Sequence, residues 1–171
     1  MYFCFLRVST LRIVGRNAHF RFAVQYADHP KTMVFAVKMQ GKDIACIFAV
    51  KMQWKGRPSV SGPNNFHLRA NSVQGGEAGL FLFSLVPSST PFFGGTLCLG
   101  GNIMRTPVSL TGGTKGLCDG VLDFHMSQSY MAARGLTPGT IVYAQGWFRD
   151  TLQMDGTGVG LTDAISFTIC P

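Results

Sequence analysis

Side chains suited to ligand binding stand together near the C-terminal end of the chain, in the run Trp147, Phe148, Arg149 and Asp150. An aromatic ring beside an arginine and an aspartate can supply the stacking platform and the hydrogen-bonding pair of a carbohydrate or peptide site. The alternative is structural. One of Trp147 and Phe148 must face inward on a strand, and Arg149 with Asp150 would form an ion pair that fixes the strand end. We favour the structural interpretation.

Two further aromatic residues, Phe92 and Phe93, belong to the segment from Pro87 to Gly95. The prolines, serines and glycines of this segment predict a loop, which makes both rings candidates for exposure to solvent. Together with Trp147, they would form the contact surface of a carbohydrate-binding module. Such a module requires an exposed row of aromatic side chains on one face or at one end of the domain.

Little in the chain predicts an enzyme. The four histidines lack a nearby serine or cysteine in a catalytic setting, and the Gly-x-Ser-x-Gly turn of esterases is missing. His67 and His125 fall within strand patterns, where the expected role is that of a solvent-facing or hydrogen-bonded side chain. The sequence therefore predicts a non-enzymatic protein with no catalytic residue and no cofactor.

The five cysteines are widely spaced, and no Cys-x-x-Cys or Cys-x-x-His pair occurs. Structural zinc sites usually need such closely spaced ligand pairs, so no metal site is predicted. An odd number of cysteines fits one or two disulfides with a thiol left over. It fits equally well a set of reduced, buried cysteines, because composition alone does not fix the redox compartment.

The elements that would position these residues are β-strands. After residue 57 the chain shows roughly seven alternating or apolar segments of strand length, with turn signals about every 8 to 12 residues. Two of them, at 141–148 and 164–170, would form a closing pair. The one helix candidate is Ser127 to Arg134, which Ser127 would cap and Gly135 would end. These features predict an all-β protein, an antiparallel β-sandwich or a jelly-roll-like fold.

The first third of the chain differs in charge from the rest. Residues 1–60 hold ten of the fifteen basic residues but only two of the eight acidic ones. A cluster of glycine, proline, serine and asparagine at Lys55 to Asn65 predicts the boundary between an N-terminal extension, 1–56, and a β-sandwich domain, 57–171. The extension contains the repeat FAVKMQ at 35–40 and 48–53, which would suit a β-hairpin. We favour a different origin for the extension over a role as a nucleic-acid-binding arm.

After the boundary, five short sequence blocks follow one another in an order that resembles a known family. They are GLFLFS, PFFGGTLCLGG, CDGVLDF, PGTIVYAQGWFRD and LTDAISFTICP. In this order they resemble a small β-sandwich module found at the C-terminal ends of large secreted bacterial proteins. That family closes with an aromatic strand, an Arg-Asp pair, a glycine-rich turn and a last strand ending in Cys-Pro. The resemblance covers residues 57–171, about two thirds of the chain.

The resemblance implies a module of no established activity that lies outside the cytoplasm, extracellularly or on the cell surface. It also implies that Cys98 and Cys170 form a disulfide, with Cys118 as the rival partner for either. The opening of this chain lacks the order of a secretory signal peptide. The first third also departs from the family pattern, because the FAVKMQ repeat and Cys46 stand where the family has a close cysteine pair.

Three functional hypotheses follow from these observations. The first is a non-enzymatic, secreted module with a structural, cohesive or surface-display role, whose partners would be other domains of a larger surface protein or glycans. The second is a carbohydrate-binding module that uses Trp147 with Phe92 or Phe93. The third is nucleic-acid binding by the basic first third, which we favour least. No run of about 18 apolar residues predicts a membrane-spanning helix.

Overall fold

A computed structural model of the chain describes residues 7–8, 19–25, 33–38, 50–93, 95–153 and 156–171. The chain divides into two compact units, Met1–Ile44 and Ala45–Pro171. In the first unit, the strands β1 (Arg7–Val8), β2 (His19–Gln25) and β3 (Met33–Lys38) form an antiparallel sheet in the order β1-β2-β3.

The second unit consists of ten strands and one short helix in its described residues. They are β4 (Lys51–Lys55), β5 (His67–Val73), β6 (Ala78–Ser84), β7 (Val86–Phe92), β8 (Gly95–Gly100), β9 (Met104–Arg105), β10 (Ser109–Leu110), β11 (Gly120–His125), α1 (Gln128–Ala133), β12 (Ile141–Arg149) and β13 (Val159–Thr168). Every strand pair is antiparallel, so the prediction of an all-β protein is confirmed. In this part of the chain, no helix is both long and apolar enough to cross a membrane.

Two sheets pack face to face around the hydrophobic core. One has the order β10-β6-β12-β13, with β9 also paired to β6, and the other has the order β11-β5-β4. The first sheet contributes Phe81, Phe83 and Phe148 to the core, and the second contributes Leu68 and Leu122. Each of these side chains is shielded from water, which contributes roughly 1.5 to 3 kcal/mol per residue before the loss of conformational entropy is counted.

The predicted closing pair is confirmed and is longer than expected. β12 pairs with β13 from Ile141↔Thr168 to Arg149↔Val159, and it also pairs with β6 on its other side. Both sides of β12 carry branched and aromatic residues, which suits a strand paired with neighbours on both edges and packed on both faces. A register shift at Gly146 interrupts the ladder between Gln145 and Trp147.

The hairpin of β7 and β8 adds a third layer on the outer face of β12. The outward side chain of Gln145 accepts a hydrogen bond from Cys98 N at 3.0 Å and donates to Thr96 O at 2.9 Å. The prediction of a loop from Pro87 to Gly95 is therefore wrong, because this segment is mostly strand β7. A strand that pairs on only one side tolerates proline, since the missing N–H would face solvent, and β7 pairs with β8 alone.

The described parts of the two FAVKMQ copies belong to different strand pairs. The first copy overlaps β3, which pairs with β2, whereas the second ends in β4, which pairs with β5. Met52 in β4 is buried in the core of the second unit, and this burial ties the strand to that unit. The unit boundary at Ile44 and Ala45 thus lies earlier than the predicted boundary at residue 56, although residues 45–49 are outside the described part.

The predicted helix is confirmed together with both of its ends. The Ser127 side chain accepts a hydrogen bond from Tyr130 N at 3.2 Å, as an N-cap serine does. Gly135 follows the last turn with a φ of +68°, the left-handed conformation that glycine adopts without a steric penalty. Met131 on the inner face of α1 packs into the core.

Candidate functional site

The aromatic corner, which we define as Trp147, Arg149 and Asp150, lies at the end of β12. Phe148 faces inward and is fully buried, whereas Trp147 is half-buried on the outer face and Arg149 is exposed. The Arg149 guanidinium carbon lies 5.5 Å from the centre of the Trp147 ring. This distance allows a cation–π contact, so the cation covers part of the platform that a sugar ring would need.

Asp150 has a structural position in the turn between β12 and β13. It is fully buried, and its Oδ1 atom accepts a hydrogen bond from Leu152 N at 3.1 Å. Its backbone N–H donates to Gly158 O at 3.0 Å, which closes the turn. Successive residues on a strand point to opposite faces, and the Arg149 guanidinium lies over the Trp147 ring on the outer face.

The turn after the corner is fastened to the other sheet by Gln74, a residue that the sequence did not indicate. Gln74 is fully buried at the end of β5. Its Oε1 atom accepts from Thr151 N at 2.7 Å, and its Nε2 atom donates to Thr151 Oγ1 at 2.8 Å. The Gln74 backbone oxygen also accepts from Thr111 Oγ1 at 2.7 Å. The corner is therefore held from beneath by a buried polar clamp.

The outer face around Trp147 is apolar. The cross-strand neighbours of Trp147 are Leu80 on β6 and Leu161 on β13, and both are half-buried. At the edge of the same sheet, Leu110 is 76% exposed opposite Ala78. Apart from Arg149, these neighbours offer few of the hydrogen-bonding groups that orient a sugar.

Phe92 and Phe93 lie at the tip of the β7–β8 hairpin, in contact with each other. Their ring centres are 4.5 Å apart in an edge-to-face arrangement, and Phe93 is 53% exposed. Gly95 pairs with Phe92 and lies beside Leu161, the cross-strand neighbour of Trp147. The hairpin tip therefore reaches the end of the outer face where Trp147 lies.

A second candidate site lies on the outer face of the other sheet, and its residues are too far apart in the chain for a local pattern to connect them. In one row across the sheet, Lys55, His67 and His125 are direct cross-strand neighbours. In the next row, Arg69 lies directly opposite Asp123. Directly opposed side chains start about 4.5 to 5.5 Å apart, so these five polar side chains form one cluster.

Asp123 and the histidines of this cluster are fixed by contacts among themselves. His67 Nδ1 and Asp123 Oδ1 are 2.6 Å apart, and the His67 ring stacks on that of His125 at 4.8 Å between centres. His125 Nε2 lies 3.1 Å from Asn64 O. Both histidines are hydrogen-bonded on the solvent face, as the strand pattern predicted.

A shallow cavity of about 280 Å³ opens between these side chains. We call it the polar cleft, and its lining is Lys55, Gly56, Asn65, His67, Arg69 and Asp123. Over the described residues, no group of three or more histidines, cysteines and carboxylates could hold a metal ion. The cleft thus presents cationic and hydrogen-bonding groups around a single carboxylate.

The predicted disulfide between Cys98 and Cys170 is wrong, because Cys170 carries a free thiol. Cys98 is buried on the β7–β8 hairpin next to Gln145, whereas the backbone of Cys170 donates to Pro58 O at 2.6 Å. Cys98 and Cys118 are both disulfide-bonded.

Two aspartates have shifted pKa values. The backbone N–H of Thr114 donates to Asp119 at 2.8 Å, and this bond lowers the pKa of the exposed Asp119 carboxyl below its ordinary value of 3.8. Burial raises the pKa of Asp163, although a hydrogen bond from Met52 N at 2.7 Å works in the opposite direction. Asp163 on β13 thereby caps the free edge of β4 and joins the two sheets.

Comparisons with known proteins add no relative. No family model matches the chain, and a search of curated proteins finds no significant match. The hypothesis of nucleic-acid binding falls on residues 1–56, most of which lie outside the described residues.

Proposed function

We propose that the chain is a non-enzymatic β-sandwich module of a secreted bacterial protein, with a structural or cohesive role at the cell surface. The observation that carries this proposal is the use of polar side chains as links between its layers. Gln74, Gln145 and Asp163 each form hydrogen bonds between two layers of the second unit. The polar groups closest to the aromatic corner therefore stabilise the sandwich.

Each of these clamps replaces a hydrophobic contact that a simpler core would have. Gln145 is almost fully buried, and its amide bonds the backbone of β8 on one side and Thr162 O of β13 at 2.8 Å on the other. A buried amide with all of these partners specifies one register, because a slipped strand would leave its polar atoms unsatisfied. A uniquely defined sandwich is what a load-carrying or display module requires.

The state of the cysteines supports a location outside the cytoplasm. Disulfides persist in oxidising compartments and are rare in reducing ones, and both Cys98 and Cys118 are disulfide-bonded. The block order at residues 79–171 supports the same location through the family resemblance described above. The partners would then be other domains of the same surface protein.

Carbohydrate binding is the second candidate function. It is favoured by the exposed ring of Phe93 and by its approach, through Gly95 and Leu161, to the end of the outer face that carries Trp147. It is weakened by the Arg149 guanidinium, which lies over the Trp147 ring.

Thermal unfolding of the full chain in the presence of neutral oligosaccharides separates the two candidates. A ligand that binds only the folded state raises Tm with its concentration. We expect no saturable rise with any neutral glycan and no turnover of chromogenic glycoside or ester substrates. A glycan that raises Tm, and loses this effect in Trp147→Ala and Phe93→Ala, would replace the structural proposal with the carbohydrate-binding one.

A further inference from the structure

The polar cleft lies on the opposite sheet from the aromatic corner, and the proposed structural role does not use it. Its cations come from two adjacent strands, Lys55 from β4 and Arg69 from β5. Within the described part of the chain, the carboxylate of Asp123 is paired with His67 and with neither of these cations. Two positive charges thus line the cavity, and neither forms an ion pair with a carboxylate of the described residues.

The hydrogen bonds around Arg69 orient its side chain. Arg69 Nε donates to Asn71 Oδ1 at 3.1 Å, which fixes the guanidinium along the strand. The guanidinium has five N–H donors in total, so this bond leaves terminal N–H groups that can meet an acceptor in the cleft. Since Lys55 is a compact point charge, the pair combines a planar fork with a mobile ammonium.

Asp123 positions His67 at the same cavity. When Nδ1 donates its proton to Asp123, the ring is held in one orientation with its Nε2 atom on the far side. The stacked His125 ring supports the His67 ring from the next strand. Asp123 also brings a negative charge to the cleft, and its Oδ1 atom is engaged by the His67 ring.

The wall of the cleft is made by backbone as well as side chains. Gly56 has a φ of +82°, and a Cβ atom there would lie 2.0 Å from the Asn65 backbone oxygen. Only glycine fits this close approach, which draws Asn65 and its amide side chain to the rim of the cavity. The amide adds an uncharged donor to the two cations.

We propose that the polar cleft binds a tetrahedral oxyanion, a phosphate or sulfate group carried by a ligand. Such a group presents several acceptor oxygens, which matches the several donors that Lys55, Arg69 and Asn65 bring to one cavity. A carboxylate offers two oxygens in one plane and would engage fewer of them.

The test is an NMR titration of the full chain with inorganic phosphate and with sulfate, with chloride and acetate at matched ionic strength as the reference. We expect phosphate or sulfate to shift the ring signals of His67 and His125 in a saturable way. Arg69→Gln and Lys55→Gln should each weaken this binding about tenfold, the value of one charge-assisted hydrogen bond. The matched control is Arg134→Gln, because Arg134 lies over the Tyr130 ring of α1 and does not line the cleft. This substitution should leave the affinity for phosphate or sulfate unchanged.

Several outcomes would overturn the proposal. They are shifts that do not saturate, equal shifts with chloride or acetate, and a loss of affinity in Arg134→Gln equal to that in Arg69→Gln. The unfolding free energy of each variant is measured in parallel. Lys55 is exposed on an edge strand, so Lys55→Gln keeps the test valid if Arg69→Gln is unstable.

Discussion

Gln74 and Thr151 are joined by two hydrogen bonds across 77 residues of chain, from Thr151 N to Gln74 Oε1 at 2.7 Å and from Gln74 Nε2 to Thr151 Oγ1 at 2.8 Å. Because Gln74 ends β5 and Thr151 follows β12, this pair connects the two sheets at one end of the sandwich. It lies below the aromatic corner, whose residue types are also suited to ligand binding. The corner is thus built on a structural clamp.

Removal of the Gln74 amide should destabilise the sandwich. Gln74→Leu removes both hydrogen bonds between the buried Gln74 side chain and Thr151, and we expect a loss of about 1 to 3 kcal/mol in the free energy of unfolding. Chemical denaturation of the wild type and the variant measures it. Gln53→Leu on an exposed position of β4 is the control and should change stability by about 0.5 kcal/mol or less. Equal effects of the two substitutions would show that the clamp is unimportant.

The close packing of Gly160 against Phe148 predicts that a side chain at residue 160 would destabilise the fold. A Cβ atom at Gly160 would lie 2.3 Å from the Phe148 ring, which is fully buried and has no room to withdraw. Gly160→Ala should therefore cost about 1 to 3 kcal/mol, as overpacked cores do. At Gly95 the nearest atom would be 3.5 Å away, an ordinary contact, so Gly95→Ala should be tolerated. A well-tolerated Gly160→Ala would contradict the packing of this strand pair.

The packing of β4 against the second unit predicts how the stability of that unit depends on where a fragment begins. Residues 45–171 retain β4, with Met52 in the core and its backbone bound to Asp163, whereas residues 57–171 lose both contacts. We expect the longer fragment to unfold cooperatively under oxidising conditions. The shorter fragment should be less stable by about 2 to 5 kcal/mol, the cost of removing a buried methionine side chain. If the two fragments unfold at the same denaturant concentration, β4 does not belong to the second unit.

The pKa shift of Asp163 predicts a pH dependence of stability. Because burial raises its pKa in the folded state, the native protein binds more protons than the unfolded chain between the ordinary value of 3.8 and the folded pKa. The contribution of the Asp163 carboxyl to the free energy of unfolding is fully present below that window. It is lost as pH rises through the window. The difference in unfolding free energy between wild type and Asp163→Asn should therefore decrease with rising pH above about 3.8.

Asp119 provides a control of opposite sign, because its pKa is lowered in the folded state. Its contribution is present above the ordinary value of 3.8 and is lost as pH falls through the folded pKa. Asp119→Asn should thus affect the pH profile only in the acidic range. Parallel profiles for the two variants would show that the assigned environments of these carboxyls are wrong.

Local patterns predicted those parts of the fold that depend on neighbouring residues. The pair β12 and β13 and the capped helix α1 were visible because alternation, an N-cap serine and a terminal glycine act within a few residues. The two copies of FAVKMQ show the limit of such local patterns. Their local patterns are identical, but β4 pairs with β5, which follows it, and β3 with β2, which precedes it.

The candidate sites depended on long-range register, which single strands do not encode. His67 and Asp123 are 56 residues apart and meet only because β5 and β11 pair in one particular register. β7 was missed because proline normally argues against a strand, and the exception for a strand paired on one side appears only in the sheet. The Cys98–Cys170 pairing was implied by resemblance and failed because the two residues lie in different surroundings.

The most direct test of the proposal that the aromatic corner serves the fold is the free energy of unfolding of Trp147→Ala. Truncation of a half-buried tryptophan that packs between Leu80 and Leu161 should cost about 2 kcal/mol, roughly half the value for a fully buried one. Phe93→Ala, at the exposed hairpin tip, should cost about 0.5 kcal/mol or less. A Trp147→Ala variant as stable as the wild type would contradict the proposal, because a ring kept for a ligand can be removed without loss of stability.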